Sequence, residues 1–214
     1  MKISQEKVRR ILMSVVGVIL TGFCVGGLQK ASLGVDPFTC FVTGIAHLFH
    51  STYSFFYIII TACLLLFALF IRKQYLGLAT VLNLFLTGVS ADISYQLLDK
   101  LMGQPGILLR IILMVFSIIA MCFSASLYFT ADLGVSGYDA VSLILANRFT
   151  FIPFRYWRIF TDSLCVLVGF SFAVNIGLGT VITAFFMGPF IQFFTTYIAE
   201  PLRYKVKKKQ IVVN

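Results

Sequence analysis

Charged residues are scarce in this sequence. Only 12% of its 214 residues are Asp, Glu, Lys or Arg, whereas about a quarter is usual in soluble domains, and 59% are apolar. Long stretches such as residues 55–71 carry no charge and show no alternation of polar and apolar positions. The missing charge argues against a soluble domain, and the missing alternation against transmembrane strands. The composition therefore predicts an all-α membrane protein embedded in a lipid bilayer.

Catalytic and ligand-binding signatures are also missing. The sequence has none of the usual hydrolase, nucleotide-binding or metalloprotease motifs. Its five cysteines form no C-x-x-C pair, and His47 and His50 lack a further ligand at metal spacing. The basic residues sit at the edges of apolar runs and do not form a nucleic-acid-binding domain. We therefore predict no enzyme activity, no metal, no cofactor and no nucleic-acid partner.

Six apolar segments have roughly the twenty residues that a membrane-spanning helix needs. They are residues 10–31, 53–71, 76–98, 107–130, 155–174 and 177–199. With a cytoplasmic N-terminus, all of the seventeen Lys and Arg residues except Lys30, Lys100 and Arg110 fall on the cytoplasmic side. This distribution predicts a multi-pass protein with both termini in the cytoplasm. The basic tail, residues 201–214, is expected to lie against anionic lipid headgroups.

The chain repeats itself at a shift of one hundred residues. Residues 10–35 match residues 110–135 at nine identical positions, and residues 77–88 match residues 177–188 at six. Both blocks share one register without a gap, which chance similarity does not explain. Each half holds three predicted spans, an odd number, so the second half must enter the membrane the other way up. We predict two inverted three-helix repeats, 1–104 and 105–200.

A Leu-Gly-Val break follows the first span of each half. Gly34 and Gly134 give the backbone freedom to turn there. Two short helices are predicted next, over residues 36–49 and 136–149, with Asp36 and Ser136 as N-caps. Pro37 occupies the first helical position after Asp36, and both Pro37 and Gly137 are assigned to the breaks together with the two glycines. Each short helix either lies flat at the interface or dips into the bilayer.

This arrangement resembles the YczE/YitT-like group of bacterial integral membrane proteins. The resemblance covers nearly the whole chain and is carried by the Leu-Gly-Val break, the short helix after it, the duplicated halves and the length. It implies a bacterial inner-membrane location. It supplies no catalytic residues.

Polar residues at membrane depth are candidates for the path of a solute or ion. Six are predicted in this role: Asp36, Asn83, Asp92, Asp139, Thr183 and Gln192. Asp92 is the first choice, because no partner for it is apparent and its repeat counterpart is also polar. Helix capping explains the two short-helix aspartates equally well, and interhelical hydrogen bonds explain Asn83 and Thr183. Asp162 is interpreted as an ion pair with Arg158 near the interface.

Small residues at a spacing of four indicate close helix packing. Gly22 and Gly26 form G-x-x-x-G, and Cys122 and Ser126 repeat the spacing in the second half. Inverted repeats with interrupted segments at matching positions are typical of secondary transporters. We therefore expect a small transporter or channel-like protein for a solute or ion. A non-catalytic subunit of a larger membrane complex is one alternative, an intramembrane enzyme acting on lipid is another, and a homo-oligomer is left open.

Overall fold

A computed structural model describes residues 5–71, 76–149, 151–152, 154–172, 174 and 176–204. All regular structure in these ranges is helical. In chain order the helices are α1 (Gln5–Ala31), α2 (Pro37–Leu48), α3 (Tyr53–Ile71), α4 (Leu78–Met102), α5 (Ile107–Ala131), α6 (Gly137–Arg148), α7 (Phe154–Ser171), α8 (Leu178–Phe194) and α9 (Glu200–Tyr204). A π-helical turn over Thr195–Ala199 joins α8 to α9. The predicted tail beyond residue 204 lies outside the described residues.

Five helical stretches in the described residues are long and apolar enough to cross a membrane. They are α1, α3, α4, α5 and the continuous stretch Leu178–Tyr204. The remaining predicted span, 155–174, corresponds to α7, which falls outside this group because Arg155, Arg158 and Asp162 lie within its 18 residues. The two short helices α2 and α6 occupy the segments where the sequence predicts them.

Helices α1 and α5 pack against each other at the centre of the molecule and run in opposite directions. Arg10, near the start of α1, donates from Nε to the carbonyl of Ala131 at the end of α5, at 2.7 Å. Arg110, near the start of α5, donates in the same way to the carbonyl of Ala31, also at 2.7 Å. Each guanidinium thus satisfies a carbonyl that a helix end leaves without an intrahelical partner.

The Leu-Gly-Val breaks have the same backbone geometry in both halves. Gly34 has φ +108° and Gly134 has φ +109°, values that only glycine adopts without strain. The residue before each glycine accepts a hydrogen bond from a helix of the other half: Leu33 from the Gly179 amide and Leu133 from the Ala79 amide, both at 2.9 Å. Each break is therefore held against the start of α8 or α4.

The glycines of the G-x-x-x-G pattern bring α1 close to α4. A Cβ atom at Gly22 would lie 2.6 Å from the Ser90 Cβ, and one at Gly26 would lie 2.7 Å from the Ser94 Cβ. In the second half, Cys122 is fully buried and Ser126 donates its hydroxyl to the carbonyl of Phe123 at 2.6 Å. The helices of the first half can approach this closely only because no side chain intervenes.

The predicted boundary near residue 104 falls in the short turn between α4 and α5. Gly103 ends α4 with its amide bonded to the Asp99 carbonyl at 3.0 Å. Lys30 at the end of α1 reaches this turn, donating to the Asp99 carboxylate and to the Gly103 carbonyl at 2.5 Å each. The turn is thus fixed to the end of α1.

Candidate functional site

A cavity of about 600 Å³ lies at the centre of the described residues, and α1 to α8 all contribute to its wall. Both short helices begin at this cavity. Asp36 caps α2 by accepting a hydrogen bond from the Thr39 amide at 3.1 Å. Ser136 caps α6 in the same way, accepting from the Asp139 amide at 3.1 Å. Two helix N-termini, each with a partial positive charge, therefore converge on one space.

The first turns of the two short helices meet through aromatic rings. Phe38 and Tyr138, which are one hundred residues apart, stack with centroids 4.8 Å apart and planes at 14°. Tyr57 of α3 approaches Phe38 edge-on, with centroids 5.9 Å apart, and its ring is tilted by 40° to that of Tyr53 at a centroid distance of 5.6 Å. This aromatic cluster of Phe38, Tyr53, Tyr57 and Tyr138 forms one wall of the cavity.

A buried network of charged groups forms another part of the wall. The Arg158 guanidinium donates to the Asp139 carboxylate and lies 3.4 Å from that of Asp162. Asp139 is 3% exposed and Asp162 is 5% exposed, so both carboxylates depend on protein donors. The hydroxyls of Tyr128 and Ser136 donate to Asp139. Asp139 is therefore well supplied with donors.

Asp162 and Arg158 are further tied to the aromatic cluster. The Tyr138 hydroxyl donates to the Asp162 carboxylate. The Arg158 guanidinium carbon lies 4.5 Å from the centroid of the Tyr138 ring, a cation–π contact. The Arg158–Asp162 pairing expected from their spacing is present. However, both residues line the central cavity, and Arg158 contacts Asp139 of a different helix more closely.

Five of the six predicted path residues come together at this cavity: Asp36, Asn83, Asp139, Thr183 and Gln192. Asn83 accepts a hydrogen bond from the Tyr57 hydroxyl at 2.6 Å. The Thr183 hydroxyl donates to the carbonyl of Gly179 in its own helix at 2.9 Å. The two repeat-equivalent positions thus face one cavity with different partners.

Asp92, the first choice from sequence, lies elsewhere. It lines a second cavity of about 480 Å³ beside Gln96 and His47. Its carboxylate accepts a hydrogen bond from the Ser54 amide at 3.3 Å, so it satisfies a donor in the first turn of α3. This partner was not apparent from the sequence, because it belongs to another helix. Tyr53 lines both cavities and stands between them.

Sequence reasoning missed the aromatic cluster and gave Arg158 only an interfacial role. One signal was available. Phe38 and Tyr138 are both aromatic at equivalent positions, two residues after the caps of the short helices. Phe and Tyr are different residues, so this pair is not among the identical positions of the two halves. An aromatic ring at the start of both short helices nevertheless indicates a shared contact.

The contact between α3 and α4, here called the α3/α4 seam, differs from the corresponding contact between α7 and α8, the α7/α8 seam. At the α3/α4 seam, a Cβ atom on Gly88 would lie 3.2 Å from the Ser54 Cβ, and the Tyr57–Asn83 hydrogen bond closes the gap. At the α7/α8 seam, the equivalent Gly188 lines the cavity, and a Cβ there would meet no other described atom within 4 Å. The buried Trp157 Nε1, equivalent to the Tyr57 position, has no hydrogen-bond partner among the described residues.

These features define a multi-pass helical membrane protein whose two halves share an internal cavity. The chain belongs to the family described as "Family of unknown function (DUF6198)", whose model matches residues 8–196. It is 29% identical to an "Uncharacterized protein" of Haemophilus influenzae, covering 92% of this chain and 87% of the relative. It is 23% identical to the "Uncharacterized membrane protein YczE" of Bacillus subtilis, covering 98% and 96%. This confirms the predicted resemblance to YczE. No solved structure matches.

Proposed function

We propose that the protein is a secondary transporter of the bacterial inner membrane that moves a small solute by alternating access. The central cavity is the binding site. The two halves are inverted repeats of three spans each, with α2 and α6 as re-entrant helices. The difference between the α3/α4 and α7/α8 seams is the observation that carries this proposal.

The antiparallel contact of α1 with α5 supports the inverted halves. Arg10 of the first half bonds to the second half, and Arg110 of the second half makes the equivalent bond to the first. The carbonyls of Leu33 and Leu133 likewise each accept a hydrogen bond from the opposite half. Such reciprocal contacts are expected when two copies of one unit are related by a two-fold axis in the membrane plane. A transporter built this way has a second state available, in which each half adopts the conformation of the other.

Helix α7 completes the set of six spans. Its Arg158 and Asp162 are bonded to each other and to groups of α6, which lowers the free energy cost of burying them in a bilayer. The length of α7, 18 residues, is at the lower end of what spans the hydrocarbon core. If α7 spans the membrane, Arg158 and Asp162 lie within the bilayer and form part of the binding site.

The seams supply the two gates. In the present state α3/α4 is closed at Gly88 and Asn83, and α7/α8 is open beside Gly188. Exchange of the two conformations closes α7/α8, bringing Trp157 toward Thr183, and separates Tyr57 from Asn83. The solute is thereby exposed to the opposite side of the membrane, which is the definition of alternating access.

Cross-linking of cysteine pairs in membranes tests this exchange without a known solute. The pair Ser54→Cys with Gly88→Cys places two Cβ atoms within a few tenths of an ångström of the usual disulfide separation of about 3.5–4.5 Å. The equivalent pair, Phe154→Cys with Gly188→Cys, reports closure of the other seam. Both pairs are made in a variant without the five native cysteines.

We expect both pairs to form disulfides in the same membranes, the α3/α4 pair faster because its seam is closed in the present state. In a variant that carries both cysteine pairs, a disulfide across one seam should suppress cross-linking across the other. Each single-cysteine variant serves as the control for intermolecular disulfides. Formation of the α3/α4 disulfide alone, under conditions that oxidise accessible thiols, would show one static state and overturn alternating access.

The orientation of the chain gives a second prediction. Because the basic residues concentrate at one face, we expect both termini in the cytoplasm. Green fluorescent protein fused after residue 214 should fluoresce, whereas alkaline phosphatase at the same position should be inactive. A fusion in the turn after Gly103 should give the reverse result. Active phosphatase at the C-terminus would contradict the proposed topology.

A further inference from the structure

We propose that the solute is a monovalent organic cation, a protonated amine with an apolar body, bound between the Asp36 carboxylate and the aromatic cluster. This proposal rests on the proposed function for its transport role. The charge, the aromatic rings and the size of the cavity support the binding site itself.

The cavity has an excess of negative charge. Its lining carries three carboxylates, those of Asp36, Asp139 and Asp162, and one guanidinium, that of Arg158. The two helix N-termini that converge here add about half a positive charge each. The balance is about one negative charge, which a single monovalent cation neutralises.

Asp36 is the carboxylate with the fewest donors. Asp139 and Asp162 each have Arg158 and a tyrosine hydroxyl as partners. Asp36 uses Oδ2 for the Thr39 amide, while its buried Oδ1 has no hydrogen-bond partner among the described residues. A carboxylate with so little compensation is unfavourable in this setting, and a cation bound in the cavity beside Asp36 supplies the missing positive charge.

The aromatic cluster favours an organic cation over a metal ion. Phe38, Tyr53 and Tyr57 are packed together beside Asp36 and line the same cavity. Ring faces attract ammonium groups, and Arg158 over Tyr138 is an instance of this contact in the same wall. No group of three His, Cys, Asp or Glu side chains in the described residues converges as a metal site would require.

The size of the cavity sets the size of the solute. A volume of about 600 Å³ falls within the range of sites that hold compact organic molecules, and most of the lining is apolar. The solute is therefore a small amine whose hydrocarbon part packs against side chains such as Met121, Phe129 and Ile191.

Calorimetry on the purified full-length protein in detergent tests this assignment. The probes are phenethylammonium, phenethyl alcohol and phenylacetate, which share one ring and differ mainly in charge. We expect binding of phenethylammonium at least about ten-fold tighter than of either other probe, because only the cation pairs with Asp36. Equal affinity for the three probes, no measurable binding, or a preference for phenylacetate would each overturn the proposal.

Variants identify the residues responsible. Asp36→Asn keeps the helix cap, since asparagine is also a good N-cap, and removes the charge. It should weaken phenethylammonium binding about ten-fold or more. Asp92→Asn, the matched control in the other cavity, should leave binding within about two-fold. Phe38→Leu should weaken the cation about five-fold and leave phenethyl alcohol unchanged, because only the cation uses the ring face. Cation binding that is unaffected by Asp36→Asn would contradict the assigned site.

The two proposals fail separately. Cation binding that depends on Asp36 without cross-linking of the α7/α8 seam would leave the site intact and remove alternating access. Cross-linking of both seams without cation binding would leave alternating access intact and remove the organic cation as the solute.

Discussion

Gly134→Ala is expected to reduce the free energy of unfolding by about 3 kcal/mol or more, since backbone strain and a steric clash each contribute about 1–3 kcal/mol. The strain arises because φ at Gly134 is +109°, where an L-residue is disfavoured. The clash arises because the new Cβ would lie 2.6 Å from the Gly77 amide nitrogen and 2.9 Å from the Gly77 Cα. Unfolding in mixed detergent micelles, followed by circular dichroism, measures the change. Gly34→Ala should behave alike.

Two other glycines give graded controls. Gly103 has φ +55° with no described atom within 4 Å of a Cβ, so Gly103→Ala should cost only about 1–2 kcal/mol for the left-handed conformation. Gly106 has open space and no positive φ, so Gly106→Ala should be nearly neutral. If Gly134→Ala is no more destabilising than Gly103→Ala, the close contact between the break and the start of α4 is not as described.

Arg158→Met is expected to cost about 3–5 kcal/mol, because it leaves two buried carboxylates without their cation. Asp139 and Asp162 then keep only hydroxyl donors, those of Tyr128 and Ser136 for Asp139 and that of Tyr138 for Asp162. Loss of the cation–π contact with Tyr138 adds to the effect. The same micelle unfolding experiment measures the loss.

A combined variant separates a charge effect from a packing effect. Asp139→Asn with Asp162→Asn in the Arg158→Met background removes the uncompensated charges, and the tyrosine hydroxyls can still donate to the amide oxygens. We expect this variant to regain at least about half of the lost stability. Asp132→Asn is the control for an exposed ion pair, since Asp132 is 73% exposed beside Arg10, and it should cost less than about 1 kcal/mol. Purely additive losses would contradict a shared buried network.

Local signals in the sequence were sufficient to predict the short helices. The predicted ranges 36–49 and 136–149 correspond to Pro37–Leu48 and Gly137–Arg148. The caps explain this accuracy, since a capping side chain bonds an amide only a few residues away. Helix ends without such signals were predicted less well: α4 continues to Met102, and the last helical stretch runs through a π-helical turn to Tyr204.

The composition of the site could not be predicted to the same extent. The internal repeat showed that Asn83 and Thr183 occupy equivalent positions, and both residues line the cavity. Hydrogen bonds and ion pairs between different helices could not be predicted from the sequence. They depend on the orientation of α7 relative to α6 and of α4 relative to α3. Asp162 was therefore assigned to the interface, whereas the structure places it in the wall of the central cavity. Asp92 was the first choice for the path, whereas the structure places it on α4 in the second cavity, bonded to the first turn of α3.

Trp157 is the single tryptophan of the chain, with its indole stacked on Phe149 at a centroid distance of 5.3 Å. A lone indole emits at a wavelength set by its own surroundings. If closure of the α7/α8 seam gives Nε1 an oxygen acceptor, the emission maximum moves without any attached dye. The unmodified protein thus contains an optical signal for the proposed conformational exchange, and stopped-flow fluorescence of the purified protein in liposomes tests whether that exchange takes place.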